Sequence, residues 1–261
     1  MELTTYVDKF KEDIKNEYFN STTTLNVDNV KIFEHALKLG YRDAQRTFHK
    51  INEKVWSTSK AQDKFYSEFS SKLQEIFKYE IIFSPEALFD KFIEFFHNYG
   101  YTVTYGQAQK VINMAFKYLY CLDNREEYKE DIFDKCHIPL DSFTLAWYKR
   151  NILRRTDDKK YQIKSDDSWS KLSREKYTNI QELINSRVSE GLKIKINGND
   201  LPLPKIPLEF EFIIWQEEIM NQAVANFNKT IYKSINEIYN ATDDYRMMLK
   251  DTDKYIKQLK E

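Results

Sequence analysis

The residues best equipped for chemistry are few: four histidines and two cysteines in 261 residues. In the stretch YRDAQRTFH, Arg42 precedes His49 with six residues between. A guanidinium can hold a phosphate, and an imidazole can move a proton near neutral pH. A separation of seven places both on one helix face only if the helix is unbroken. The plain alternative is an exposed arginine and a surface histidine. Cys121, Cys136, His137 and Asp141 raise the question of a metal. Their spacing fits none of the zinc patterns, and adjacent Cys-His ligands are awkward, so no metal is expected. CHIPLD reads better as a turn entering a helix, with Asp141 near its cap.

The segment from Arg42 to His49, with Asp43 as its polar residue, resembles the short Arg–polar–spacer–His motif of the HEPN family. These all-α domains include metal-independent ribonucleases. The resemblance covers eight residues. It implies that Arg42 and His49 cooperate at a dimer interface on the scissile phosphate. No Gly-rich phosphate loop, G-x-S-x-G, H-E-x-x-H or kinase set occurs in the sequence, and no cofactor is expected. Pairs such as Glu209/Glu211 and Glu217/Glu218 say little in a chain with 41 acidic residues.

Two further sets of side chains are candidate binding groups. Residues 106–122 have the length and composition of a helix, yet Gln109, Lys110, Asn113 and Lys117 interrupt its apolar residues. At helical spacing these four fall within an arc of about 100°. The simple expectation is that the stripe meets water, because charged residues stay exposed. The sharper one is a polar wall of a groove that holds an anion or a polar partner surface. Residues 148–164 hold seven basic residues against two acidic, with Tyr148 and Tyr161 interleaved. Arg150, Arg154 and Arg155 are their candidate contacts for an acidic protein surface or a nucleic acid backbone. A solvated face plus a mobile loop is the competing reading.

What positions these groups is mostly helix. Five glycines and five prolines disfavour turn-dense β architectures, and 18 Tyr with 18 Phe favour a folded chain. Lys plus Arg number 40 against 41 acids, a net charge of -1 that argues against a surface built for nucleic acid or anionic membrane. Two cysteines suit a reducing cytosol, and no secretory signal or run of about 18 apolar residues is found. The Asn-, Lys-, Tyr- and Ile-rich composition fits an AT-rich bacterial or phage genome.

Apolar periodicity predicts helices over 3–19, 29–39 (Asp28 capping, Gly40 ending it), 42–54, 60–77 and 85–98, the last started by Ser84-Pro85. An extended segment at 100–106 precedes the helix that Gly106 opens. Another helix is expected from Asp141, and a polar loop at 154–168. A hairpin near 192–204 turns on Asn197-Gly198.

From Leu208 onward, Val224, Phe227, Ile231, Ile238, Tyr245, Met248, Tyr255 and Leu259 keep a three-four register. One continuous helix there would be roughly 75 Å long, so either residues 240–244 break it, which is the favoured expectation, or it projects or pairs with another chain.

The chain is thus expected to be mainly α, with one small β-hairpin and long C-terminal helices. It divides into an N-terminal helical region 1–153, the polar loop 154–168 and a C-terminal helical region 169–261, or forms one continuous domain. The function expected is that of a non-catalytic cytoplasmic interaction protein, oligomeric through its C-terminal helices. It would bind a protein partner rather than nucleic acid or membrane. The alternative is a HEPN-like ribonuclease using Arg42 and His49.

Overall fold

Among the described residues of a computed structural model of the chain, eight helices longer than one turn carry the fold. The structure describes residues 3–20, 24–48, 60–79, 83–122, 131–164, 167–196, 199–202, 204 and 206–258. The helices are α1 (Leu3–Tyr18), α2 (Val30–Ala44), α3 (Ala61–Tyr79), α4 (Pro85–Asn98), α5 (Tyr105–Cys121), α6 (Ser142–Asn151), α7 (Arg174–Ser189) and α8 (Pro207–Gln258). A single turn at Asp131–Asp134 and short 3-10 turns lie between them. The protein is mainly helical, as its periodicity predicts, and among the described residues no helix is long and apolar enough to cross a membrane. Two compact units are distinguished, Met1–Gln216 and Glu217–Glu261.

The first unit is organised around α5. Thr104 caps this helix by accepting from the Gln107 N–H, while the Gln107 side chain accepts from the Thr104 N–H. This reciprocal box satisfies two donors that a helix start leaves open, so the helix begins at Tyr105 rather than at Gly106. Ile112 and Leu119 are fully buried, as a central helix requires. α2 and α4 both pack on α5. Rings from α3 and α4 fill the space beside them, with Phe65, Phe69, Phe92, Phe95 and Phe96 in mutual contact.

Two expected boundaries move. Gly40 does not end a helix but lies inside α2, where a Cβ would run into the Val111 carbonyl oxygen and the Ala115 nitrogen of α5. It is glycine because two helix backbones approach there, a demand invisible to local pattern. The N-cap is Asn29 rather than Asp28, accepting from the Lys31 N–H at 3.2 Å. α4 does start at Ser84-Pro85: the serine hydroxyl accepts from the Ala87 N–H, and the proline occupies the first turn.

The second unit is the C-terminal stretch of α8. α8 has no break at 240–244. No glycine or proline follows Pro207, and Asn240, Thr242 and the two aspartates only weaken a helix. Val224, Phe227, Ile231, Tyr232 and Ile235 are exposed large apolar residues on it. The expected hairpin turns on Asn197-Gly198, outside the described residues.

Candidate functional site

The polar stripe of α5 does not meet water. Lys110 and Lys117 are each 4% exposed, and Gln109 and Asn113 are fully buried. Four polar side chains can be taken out of water only if other groups satisfy them. Here the partners come from distant parts of the sequence.

Gln109 acts as a clamp on the segment before α6. Its amide donates to the Leu140 carbonyl at 2.7 Å, and its oxygen accepts from the Leu140 N–H at 3.1 Å. Asn113 donates to Gln109 Oε1 at 3.1 Å and to the Tyr177 hydroxyl of α7 at 3.0 Å. The Tyr177 hydroxyl also meets His137 Nδ1 at 2.9 Å, and His137 Nε2 lies 3.4 Å from Glu86 Oε1. Burial lowers the His137 pKa, against the pull of Glu86. This half of the stripe ties α4, α5, α7 and the 137–141 segment together.

The two lysines serve a different purpose. Lys110 Nζ lies 2.8 Å from Asp141 Oδ2 and 3.6 Å from Glu211 Oε1. Lys117 Nζ pairs with Glu211 Oε2. Two ammonium groups thus face two carboxylates within the core. Asp141 is also the N-cap of α6, accepting from the Phe143 and Thr144 N–H groups at 2.9 Å each, and Trp215 Nε1 donates to it at 3.4 Å. Burial alone would raise the Asp141 carboxyl, but Lys110, the Thr144 N–H and Trp215 outweigh it and hold the pKa at about 2. Burial alone would lower Lys110, but Asp141 and Glu211 outweigh that and raise it. Lys117 also sits 5.0 Å and 5.5 Å from the ring centres of Phe10 and Phe212, which stack on each other at 4.3 Å.

This cluster floors a cleft of about 550 Å³ within the first unit. α1, α2, α5, the start of α6 and residues 169 and 215 form its walls. Arg42 and Arg46 lie at its edge. The Arg42 guanidinium rests 4.7 Å over the Tyr18 ring, with its Nε 4.0 Å from Asp43, and its side chain is 50% exposed. Asp43 Oδ2 accepts from the Tyr118 hydroxyl at 2.8 Å. Burial, followed by Asp43, raises the Tyr118 pKa.

Of the sequence candidates, Lys110, Lys117 and Arg42 therefore meet at one cleft. Gln109 and Asn113 brace the core behind it. The expectation that the stripe meets water is overturned, because the length of α5 says nothing of the carboxylates that Asp141 and Glu211 bring to it. Arg150 is half-buried on α6, and Arg154 and Arg155 are exposed on the turn after it; none of the three lines the cleft. α2 ends at Ala44 and a 3-10 turn follows at Gln45–Thr47, so no unbroken helix carries Arg42 towards His49. His49 itself lies outside the described residues. Cys121 and Cys136 are both buried; burial pushes the first up to about 12 and raises the second. Among the described residues no group of three or more His, Cys, Asp or Glu side chains is placed to hold a metal ion.

Sequence reasoning missed Glu211, which it set aside as one acid among many. Its signal was its setting: a single carboxylate between Phe210 and Phe212 in the apolar run LEFEFIIW. Trp215 and Tyr18 gave no signal at all. No protein-family profile, curated protein or solved structure matches the chain.

Proposed function

We propose that this chain is a non-catalytic, cytoplasmic interaction protein that binds a protein partner and self-associates through its C-terminal helix. The observation that carries this reading is the row of exposed large apolar side chains at Val224, Phe227, Ile231, Tyr232 and Ile235. Contiguous apolar surface of that kind marks interaction faces in soluble proteins. The three-four register of apolar residues running on from Val224 towards Leu259 suits packing against another helix. Homo-oligomers with closed symmetry are the commonest assemblies, which favours a second copy as one partner.

The cleft adds support from the other side. Asp141, Glu211, Lys110 and Lys117 are matched in charge, so the cluster is suited to holding shape rather than to passing protons. A general acid or base needs a pKa near the working pH, and Asp141 at about 2 is far from it. The small β-hairpin expected near 192–204 is part of this reading.

The test is affinity capture from source cells with mass spectrometry, run beside an RNA-cleavage assay on the purified chain. A co-purifying protein that is lost with Phe227→Asp supports the reading. Chelator-insensitive RNA cleavage that disappears in His49→Ala would overturn it in favour of the ribonuclease.

A further inference from the structure

The cleft has a ligand chemistry of its own. We infer that it binds a small planar anion: an aryl or heteroaryl ring that carries a carboxylate or a phosphate. The first ground is which charges are already spent. Asp141 is held by Lys110, two N–H groups and Trp215; Asp43 is held by the Tyr118 hydroxyl; Glu211 is held by both lysines. A cationic ligand would have to compete with each of these contacts. One carboxylate of the lining, the exposed Glu17 beside Tyr18, is not held by a cation in this way among the described residues, and it stands against two guanidinium groups at the mouth. Arg46 is exposed and has no ion pair among the described residues, and Arg42 has a carboxylate no closer than 4.0 Å while its side chain is half exposed. Guanidinium groups hold planar two-oxygen anions through paired N–H donors. Two of them four residues apart at one rim therefore select for a negative group.

The second ground is the wall. Tyr18, Phe143, Trp169 and Trp215 line the cleft, and Phe143 and Trp215 meet edge to face at 4.7 Å. Arg42 already sits over the Tyr18 ring at 4.7 Å, so a guanidinium and aromatic rings are at hand for a flat ligand to stack on. The third is size. About 550 Å³ falls within the range of sites that hold small organic molecules. The buried cluster beneath keeps the floor fixed, so the ligand would enter a preformed site.

Isothermal titration calorimetry on the full chain tests this with 2-naphthoate, 2-naphthyl phosphate, neutral 2-naphthamide and inorganic phosphate. We expect one or both naphthyl acids to bind one per chain, and the tighter acid names the head group. 2-Naphthamide and inorganic phosphate should each bind at least about tenfold more weakly than the better acid, the loss of one charged contact or of the ring being worth roughly that factor. Arg42→Gln and Arg46→Gln should each weaken the acid about tenfold, with the melting temperature unchanged because both side chains are exposed. Neither acid binding at millimolar concentration would overturn the proposal. So would equal binding of the amide or of bare phosphate, or binding indifferent to both arginines. Light scattering on the same sample reports self-association separately, so a failed ligand leaves the interaction reading untouched and the reverse also holds.

Discussion

Along α5, polar side chains that would ordinarily face water are buried. Between Val224 and Ile235, large apolar side chains that would ordinarily be covered are exposed. Both stretches are amphipathic helix with the usual spacing. What separates them is supply. α5 receives Asp141 and Glu211 to neutralise its lysines, and Leu140 and Tyr177 to bond its amides, although the Asn113 side-chain oxygen is left without a hydrogen bond. Among the described residues the apolar row of α8 is left exposed. Helical period therefore reports which residues share a face, while the depth of that face depends on what the rest of the chain, or another chain, brings to it.

The sharpest way to break this contrast is to remove one partner from the α5 cluster. Glu211→Ala leaves Lys117 buried without a carboxylate and Lys110 with only Asp141. It should cost about 3–5 kcal/mol in denaturant unfolding, the usual penalty for an orphaned buried charge. Replacing the pair together, Lys117→Met with Glu211→Leu, should recover most of that loss. A Glu211→Ala loss below about 0.5 kcal/mol, typical of a surface change, would mean the cluster is hydrated after all.

Next in size is the apolar side of the same helix. Ile112→Ala should cost about 2–5 kcal/mol, since the residue is fully buried and its neighbours cannot collapse onto the gap.

A smaller effect follows from acid. The folded Asp141 pKa, about 2, lies below the value of an unfolded aspartate, near 3.9. Its contribution is fully present above about pH 4 and fades as pH falls towards 2, amounting to about 2 kcal/mol. Comparing urea midpoints of the parent and Asp141→Asn from pH 6 to pH 2 checks this. The parent should lose more stability over the acid limb, and parallel curves would contradict the assignment.

These effects also measure how far the sequence can be read. The start of α4 was legible because Ser84 and Pro85 act within one turn. The central helix was legible because seventeen residues of pattern average out local noise. Asp141 was legible as a cap, a contact two and three residues away. Its second role was not, since Lys110 lies 31 positions off. Gly40 misled for the same reason: its purpose is set by Val111 and Ala115 on another helix. The expected break at 240–244 failed because it rested on length and on weak helix formers, with no glycine or proline to enforce it. Arg42 was placed at a site by its likeness to a ribonuclease motif, yet α2 ends two residues later and carries it to the mouth of the cleft without a histidine partner among the described residues.

The smallest effect on folding should accompany the largest effect on assembly. Phe227→Asp with Ile231→Asp alters side chains that are 65% and 40% exposed, so unfolding of the dilute chain should shift by less than about 0.5 kcal/mol. Self-association through α8 is decided by multi-angle light scattering of the full chain at tens of micromolar, with and without this pair of substitutions. The parent should run as a dimer or larger species and the variant as a folded monomer. A parent that is monomeric, or a variant that still assembles, would contradict self-association through that helix.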